Sequence, residues 1–126
     1  MPMRTPLKTA RNLGSAKDGT GHFWKQRVTA VANVFLGLFL VWLIASLVGA
    51  DHASVKRALS NPFIALGLLA LVVSGTLHMR LGMQSIIEDY VHGQGTKIIA
   101  LMLNTFFAAS IALASIFAIL KLSFGA

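Results

Sequence analysis

His78-Met79-Arg80-Leu81-Gly82-Met83-Gln84-Ser85-Ile86-Ile87-Glu88-Asp89-Tyr90-Val91-His92 places ionisable side chains in, or directly beneath, a long apolar run. Ionisable groups at such depth are costly and mark functional positions. At about 100° per residue, the step from His78 to Asp89 makes three turns and about 20°, so both lie on one helical face, roughly 16 Å apart. Ser74, Gly75, Gly82 and Ser85 share that face, and their small side chains predict a slot beside the imidazole where a flat group or a neighbouring backbone can come close. Arg80, Gln84 and Glu88 follow at i, i+4 and i+8 on another face, where they suit pairing with each other or with a partner near the membrane surface.

The rest of the chain explains why this segment is embedded. Of 126 residues, 56% are hydrophobic and 12% charged, with a mean hydropathy of +0.73. The charges lie mostly outside three apolar runs, which predicts one all-α integral membrane domain. The net charge of +7 does not indicate nucleic acid, because Arg4, Lys8, Arg11, Lys17, Lys25 and Arg27 all precede or open the first run. That distribution is a topology signal and places the N-terminal side in the cytoplasm. With no cysteine, the chain binds no iron–sulfur cluster through thiolates and forms no disulfide.

Residues 1–20, with Pro2, Pro6, Gly14 and Gly19, read as an extended basic cytoplasmic arm, and residues 21–126 as the membrane domain. A cleaved signal peptide does not fit, since the first apolar run starts late and is long enough to span. A turn starting near Thr20 carries His22, Phe23, Trp24 and Lys25 to the headgroup level. The first span is expected at 28–49, with Gly37 as a point of close helix approach and Asn33 as a helix–helix hydrogen-bonding residue. A polar loop at 50–61, with Asp51, His52, Lys56 and Arg57, ends at Asn61-Pro62, which suits a helix start. The second span, 62–91, outlasts the bilayer and carries Glu88, Asp89 and Tyr90 to the cytoplasmic interface. Gly93 and Gly95 then permit positive φ for the reversal. The third span, 96–122, has no charge before Lys121, which can snorkel to the outer interface. Spans one and three lack the row of ionisable groups that a transporter needs.

His78 can be a metal ligand or a histidine hydrogen-bonded across helices. A six-coordinate haem needs two axial ligands, and His22, His52 and His92 all lie at other depths, so a second ligand must come from another polypeptide. Asp89 and Tyr90 read either as a helix-end acid and a belt aromatic, or as a proton relay and a hydrogen-bond donor for a quinone. Arg27 is a positive-inside anchor or the cation for an anionic group, and Trp24 a belt residue or the wall of a shared site.

The pattern His-x-x-x-Gly-Met-x-x-x-x-x-Asp-Tyr over 78–90, on the second of three spans and with the basic run Gly21–Arg27 before the first, resembles the small hydrophobic anchor (D-type) subunits of succinate dehydrogenase, respiratory complex II. The resemblance covers most of the chain. It implies half of a heterodimeric helical bundle made with a C-type cytochrome b anchor subunit, in contact with membrane lipid and docked to an iron–sulfur and a flavoprotein subunit. It implies His78 as an axial ligand of haem b, the metal being its iron, and Tyr90 with Asp89 in the ubiquinone site. Arg27 would contact a haem propionate or quinone, with Trp24 nearby. The chain is then no enzyme alone; the whole complex passes electrons from succinate to ubiquinone. A bacterial inner membrane is expected, with a mitochondrial one as the alternative. A fumarate reductase anchor and a haem-free structural anchor share this architecture. Arg80 does not map onto the pattern.

Overall fold

The computed structural model describes the backbone of residues 6–125 and side chains from Thr20 onward. Four helices follow in order: α1 (Pro6–Ser46), α2 (His52–Leu59), α3 (Pro62–Tyr90) and α4 (Gln94–Ser123). Within them, Thr20–Ser46, Pro62–Tyr90 and Gln94–Ser123 are long and apolar enough to cross a membrane. The three expected spans are therefore present, with ends shifted by a few residues. The first differs most, because α1 ends at Ser46 and Gly49 turns the chain at φ 79°.

Three expectations about local structure fail. From Pro6 onward the supposedly extended arm is helix, continuous with the first span; residues 1–5 lie outside the described residues. Pro6 opens this helix at a position where proline costs nothing, and Leu7, Lys8, Ala10 and Arg11 behind it are strong helix formers. The polar loop holds a helix, α2. Asp51 caps it by accepting from the Ser54 N–H at 2.9 Å, and Lys56 and Arg57 fall in its last turn, where cations favour the helix dipole. The α3 start is as expected, with the Asn61 side chain accepting from the Phe63 N–H and Pro62 in the first turn. The α3–α4 reversal does not use positive φ: Gly93 sits at φ −72° as the N-cap of α4.

The spans pack as a single layer with α3 in the middle, touching α1 on one side and α4 on the other, while α1 and α4 do not meet among the described residues. Contacts at Thr29/His78 and Phe39/Gly67 show α1 and α3 running antiparallel. The Thr20–Arg27 end of the first span and the Asp89 turn therefore lie at one end of the layer, and α2 at the other, where Lys56 Nζ donates to the Gly125 carbonyl at 3.2 Å. A layer this thin buries little: Leu43, Leu59, Ala65, Leu81, Ile87 and Ala108 are the buried apolar residues among those described. Long rows such as Val31, Phe35, Leu38 and Trp42 on α1, and Leu103, Phe106 and Phe117 on α4, stay exposed, as lipid-facing or subunit-facing surfaces do.

The close approach of α1 and α3 falls at Gly67, not at Gly37. A Cβ on Gly67 would stand 2.8 Å from Phe39 Cε2, whereas one on Gly37 would meet nothing within 4 Å. Phe39 in turn packs beside Trp42, their ring centroids 6.2 Å apart.

Candidate functional site

The site is built where α1 crosses α3. Every 3.6 residues a helix returns to the same face, and on α1 the spacing His22, Gln26, Thr29, Asn33 lays a polar stripe along the side facing α3. On α3 the facing row is Ser74, His78, Gly82 and Ser85. Where the two meet, Thr29 Oγ1 lies 3.0 Å from His78 Nδ1, and Ser74 Oγ donates to the Thr29 carbonyl at 3.4 Å. Thr29 is the one buried polar residue among those described. Its hydroxyl also lies 2.8 Å from the Lys25 carbonyl oxygen and 3.1 Å from that of Gln26.

His78 is half-buried, and among the described residues its Nε2 has no hydrogen-bonding partner. Two glycines on the same face of α3 leave space there. A Cβ on Gly75 would meet nothing within 4 Å, and one on Gly82 would meet only the Gln26 amide nitrogen at 3.5 Å. One ring nitrogen held across the helix pair and the other without a partner among the described residues, on a helix face that also carries Gly75 and Gly82, is a donor set that fits a flat metal macrocycle. No group of three or more His, Cys, Asp or Glu side chains comes together among the described residues, so a multidentate ion site within this chain is not formed.

The other predicted residues are not gathered around His78. Asp89 lies on the same α3 face about three turns nearer the turn end, and both Asp89 and Tyr90 are exposed, Tyr90 by 76%. Trp24 and Arg27 line an open groove of about 250 Å³ with Val28 and Val31. Two residues from Thr29, Arg27 points about 200° away from the α3-facing side, so this groove lies on the outer side of α1. The Arg27 guanidinium sits over the Phe23 ring at 4.9 Å. Asn33 does not make the expected interhelical hydrogen bond: its Oδ1, like Gln26 Oε1 and His22 Nε2, is buried without a partner.

Arg80 faces the opposite side of α3. Its Nε donates to Thr105 Oγ1 at 3.3 Å, and Asn104 Nδ2 donates to its carbonyl at 3.0 Å, tying α3 to α4. The i, i+4 pairing expected along this face occurs between Gln84 Nε2 and Glu88 Oε1 at 2.8 Å, without Arg80. Thr29 is the residue that sequence inspection missed. Its signal was the 4-3-4 polar spacing from His22 to Asn33 on an otherwise apolar span.

Three membrane-length helices in an open layer, carrying one deep imidazole beside a slot and an acid–tyrosine pair at one end, define a multi-pass helical membrane subunit. The chain belongs to the succinate dehydrogenase/fumarate reductase transmembrane subunit family, whose pattern matches residues 1–117. It is 32% identical over 122 residues, 97% of this chain and 94% of the relative, to the succinate dehydrogenase hydrophobic membrane anchor subunit of Paracoccus denitrificans. The protein of the same name from Rickettsia bellii is 35% identical over 88 residues, 70% of each chain. The succinate dehydrogenase membrane anchor subunit of Reclinomonas americana is 34% identical over 90 residues, 69% of this chain and 75% of the relative. No solved structure matches. The resemblance stated from the motif therefore holds at the level of family.

Proposed function

We propose that this chain is the D-type membrane anchor of a bacterial succinate:ubiquinone oxidoreductase, pairing with a C-type cytochrome b subunit to hold haem b and ubiquinone and to dock the iron–sulfur and flavoprotein subunits. The observation that carries the haem assignment is the state of His78, with Nδ1 engaged by Thr29 and Nε2 without a partner among the described residues. His78 would then hold the haem iron from this chain's side, with a further ligand supplied by the C-type subunit. Haem bound there supplies one-electron exchange within the membrane.

The quinone chemistry falls to side chains at the turn end of α3. Reduction of ubiquinone to ubiquinol takes up two electrons and two protons, and Tyr90 donates a hydrogen bond to a carbonyl oxygen while Asp89 relays protons from the cytoplasmic water. Exposure of both fits a site completed by other subunits and entered from lipid. The groove of Trp24 and Arg27 offers an aromatic wall and a cation on the outer side of α1, suited to a propionate or quinone shared with the C-type subunit. The basic N-terminal side sets a cytoplasmic N-terminus in the inner membrane.

The test is a succinate-reduced minus air-oxidised difference spectrum of the complex purified through a tag on this chain. A b-type α-band is expected from the wild type and lost in His78→Ala, with succinate oxidation by a soluble acceptor retained in both. A band unchanged in His78→Ala overturns the ligand assignment; failure to recover succinate oxidation with the wild-type chain overturns the anchor role itself.

A further inference from the structure

Three contacts converge on the Thr29 hydroxyl: the Lys25 carbonyl oxygen at 2.8 Å, the Gln26 carbonyl oxygen at 3.1 Å and His78 Nδ1 at 3.0 Å. A hydroxyl has one proton to donate and two lone pairs with which to accept. The carbonyl oxygens can only accept, and a helical threonine commonly turns its hydroxyl proton back to them, into the preceding turn. With the proton there, the oxygen is an acceptor towards His78, and the hydrogen between them belongs to Nδ1.

We propose that Thr29 is a positioning residue for His78: its hydroxyl accepts from Nδ1–H and so fixes the imidazole as the tautomer whose Nε2 lone pair is free to bind iron. This rests on the reading of His78 as a haem ligand. The acceptor itself is held still. Thr29 is β-branched and buried, and the Ser74 hydroxyl reaches its carbonyl from α3 at 3.4 Å. The ring plane is therefore fixed relative to both helices, and hydrogen-bond acceptance at Nδ1–H makes Nε2 a more basic ligand. Without the hydroxyl, the neutral imidazole can place its hydrogen on either nitrogen, and the tautomer with hydrogen on Nε2 cannot coordinate through that nitrogen.

The experiment uses the whole complex, tagged on this chain, carrying Thr29→Val, Thr29→Ser or His78→Ala. Valine keeps the branched shape without the hydroxyl, and serine keeps the hydroxyl. The readouts are haem retained per complex during washing and the haem midpoint potential from an optical redox titration. Thr29→Val should weaken haem retention on the order of 10–100-fold, the usual loss for a ligand's hydrogen-bonding partner. It should also raise the midpoint potential, because a less basic ligand stabilises ferric iron less. Thr29→Ser should restore both. Wild-type retention and potential in Thr29→Val, with haem lost in His78→Ala, would overturn the role of Thr29 and leave His78 as ligand. Haem retained in His78→Ala overturns both. Where Thr29→Val does not assemble, Thr29→Ala removes the hydroxyl without the branched bulk, and its comparison with Thr29→Ser decides the matter in the same way.

Discussion

Gly67→Ala tests whether α1 and α3 are held by a backbone contact that admits no side chain. Two effects oppose each other. In a helix interior alanine is favoured over glycine by about 1 kcal/mol. Against this, the new methyl would stand 2.8 Å from Phe39 Cε2 and 2.9 Å from Cζ, and the ring that has to move is flanked by Trp42. Overpacking of this kind costs about 1–3 kcal/mol, so the net effect of Gly67→Ala alone is roughly 0–2 kcal/mol of destabilisation. The informative quantity is the coupling with Phe39. In a Phe39→Ala background the clash is gone, and Gly67→Ala should become stabilising by up to about 1 kcal/mol, a change of sign. The assay is reversible SDS unfolding of the full-length chain in mixed micelles, followed by helix circular dichroism, for the four members of the cycle. An effect of Gly67→Ala that is the same in both backgrounds would refute the contact.

Other positions give independent checks. Asn104→Leu removes the bond to the Arg80 carbonyl and should cost about 0.6 kcal/mol in the same unfolding assay, and no more than about 1.7. The Ser54 hydroxyl, and then its N–H, hold the Asp51 carboxyl below its ordinary value of 3.8. A lowered pKa in the folded state means that the ionised cap supports α2 above that value and that the support is lost as pH falls through the lowered one. Amide protection in α2 should therefore drop on acidification below pH 3.8 while α3 stays protected, and Asp51→Ala should abolish this dependence. Tyr90→Phe should lower quinone reductase activity several-fold while succinate oxidation by a soluble acceptor persists; equal loss of both activities would count against a quinone role.

Hydropathy made the spans legible because a bilayer demands about twenty apolar residues per helix whatever the neighbours do. It could not say which glycine receives a partner. Gly37 and Gly67 look alike in sequence, and only the α1–α3 register sets Phe39 against one of them. The α2 helix was legible in principle, since Asp51 stands three residues before Ser54 and basic residues close the segment, but its polarity read as loop. His78 stood out because an imidazole at that depth is rare. Thr29 did not, because a threonine in a helix can satisfy itself on its own preceding turn. Arg27 and Trp24 line a groove that does not include His78, because α1 turns them outward.

Apolar side chains give spanning helices no reason to prefer each other over lipid, so this layer depends on close packing and on polar contacts between helices. Those polar contacts occupy one level. Thr29 and Ser74 bind the α1–α3 pair around His78, and two residues on, Arg80 with Asn104 and Thr105 binds α3 to α4. The bonds that hold α3 between its neighbours are thus the bonds that fix the rotation of α3 about its own axis, and with it the direction in which the imidazole points. Cohesion and site geometry are carried by the same side chains. On the proposed reading of His78 as a haem ligand, a substitution at Asn104 or Arg80, on the far side of α3 and out of reach of His78, should therefore alter the haem midpoint potential by letting α3 rotate. Gly67→Ala, which spreads the helices nearer the α2 end, should affect stability first.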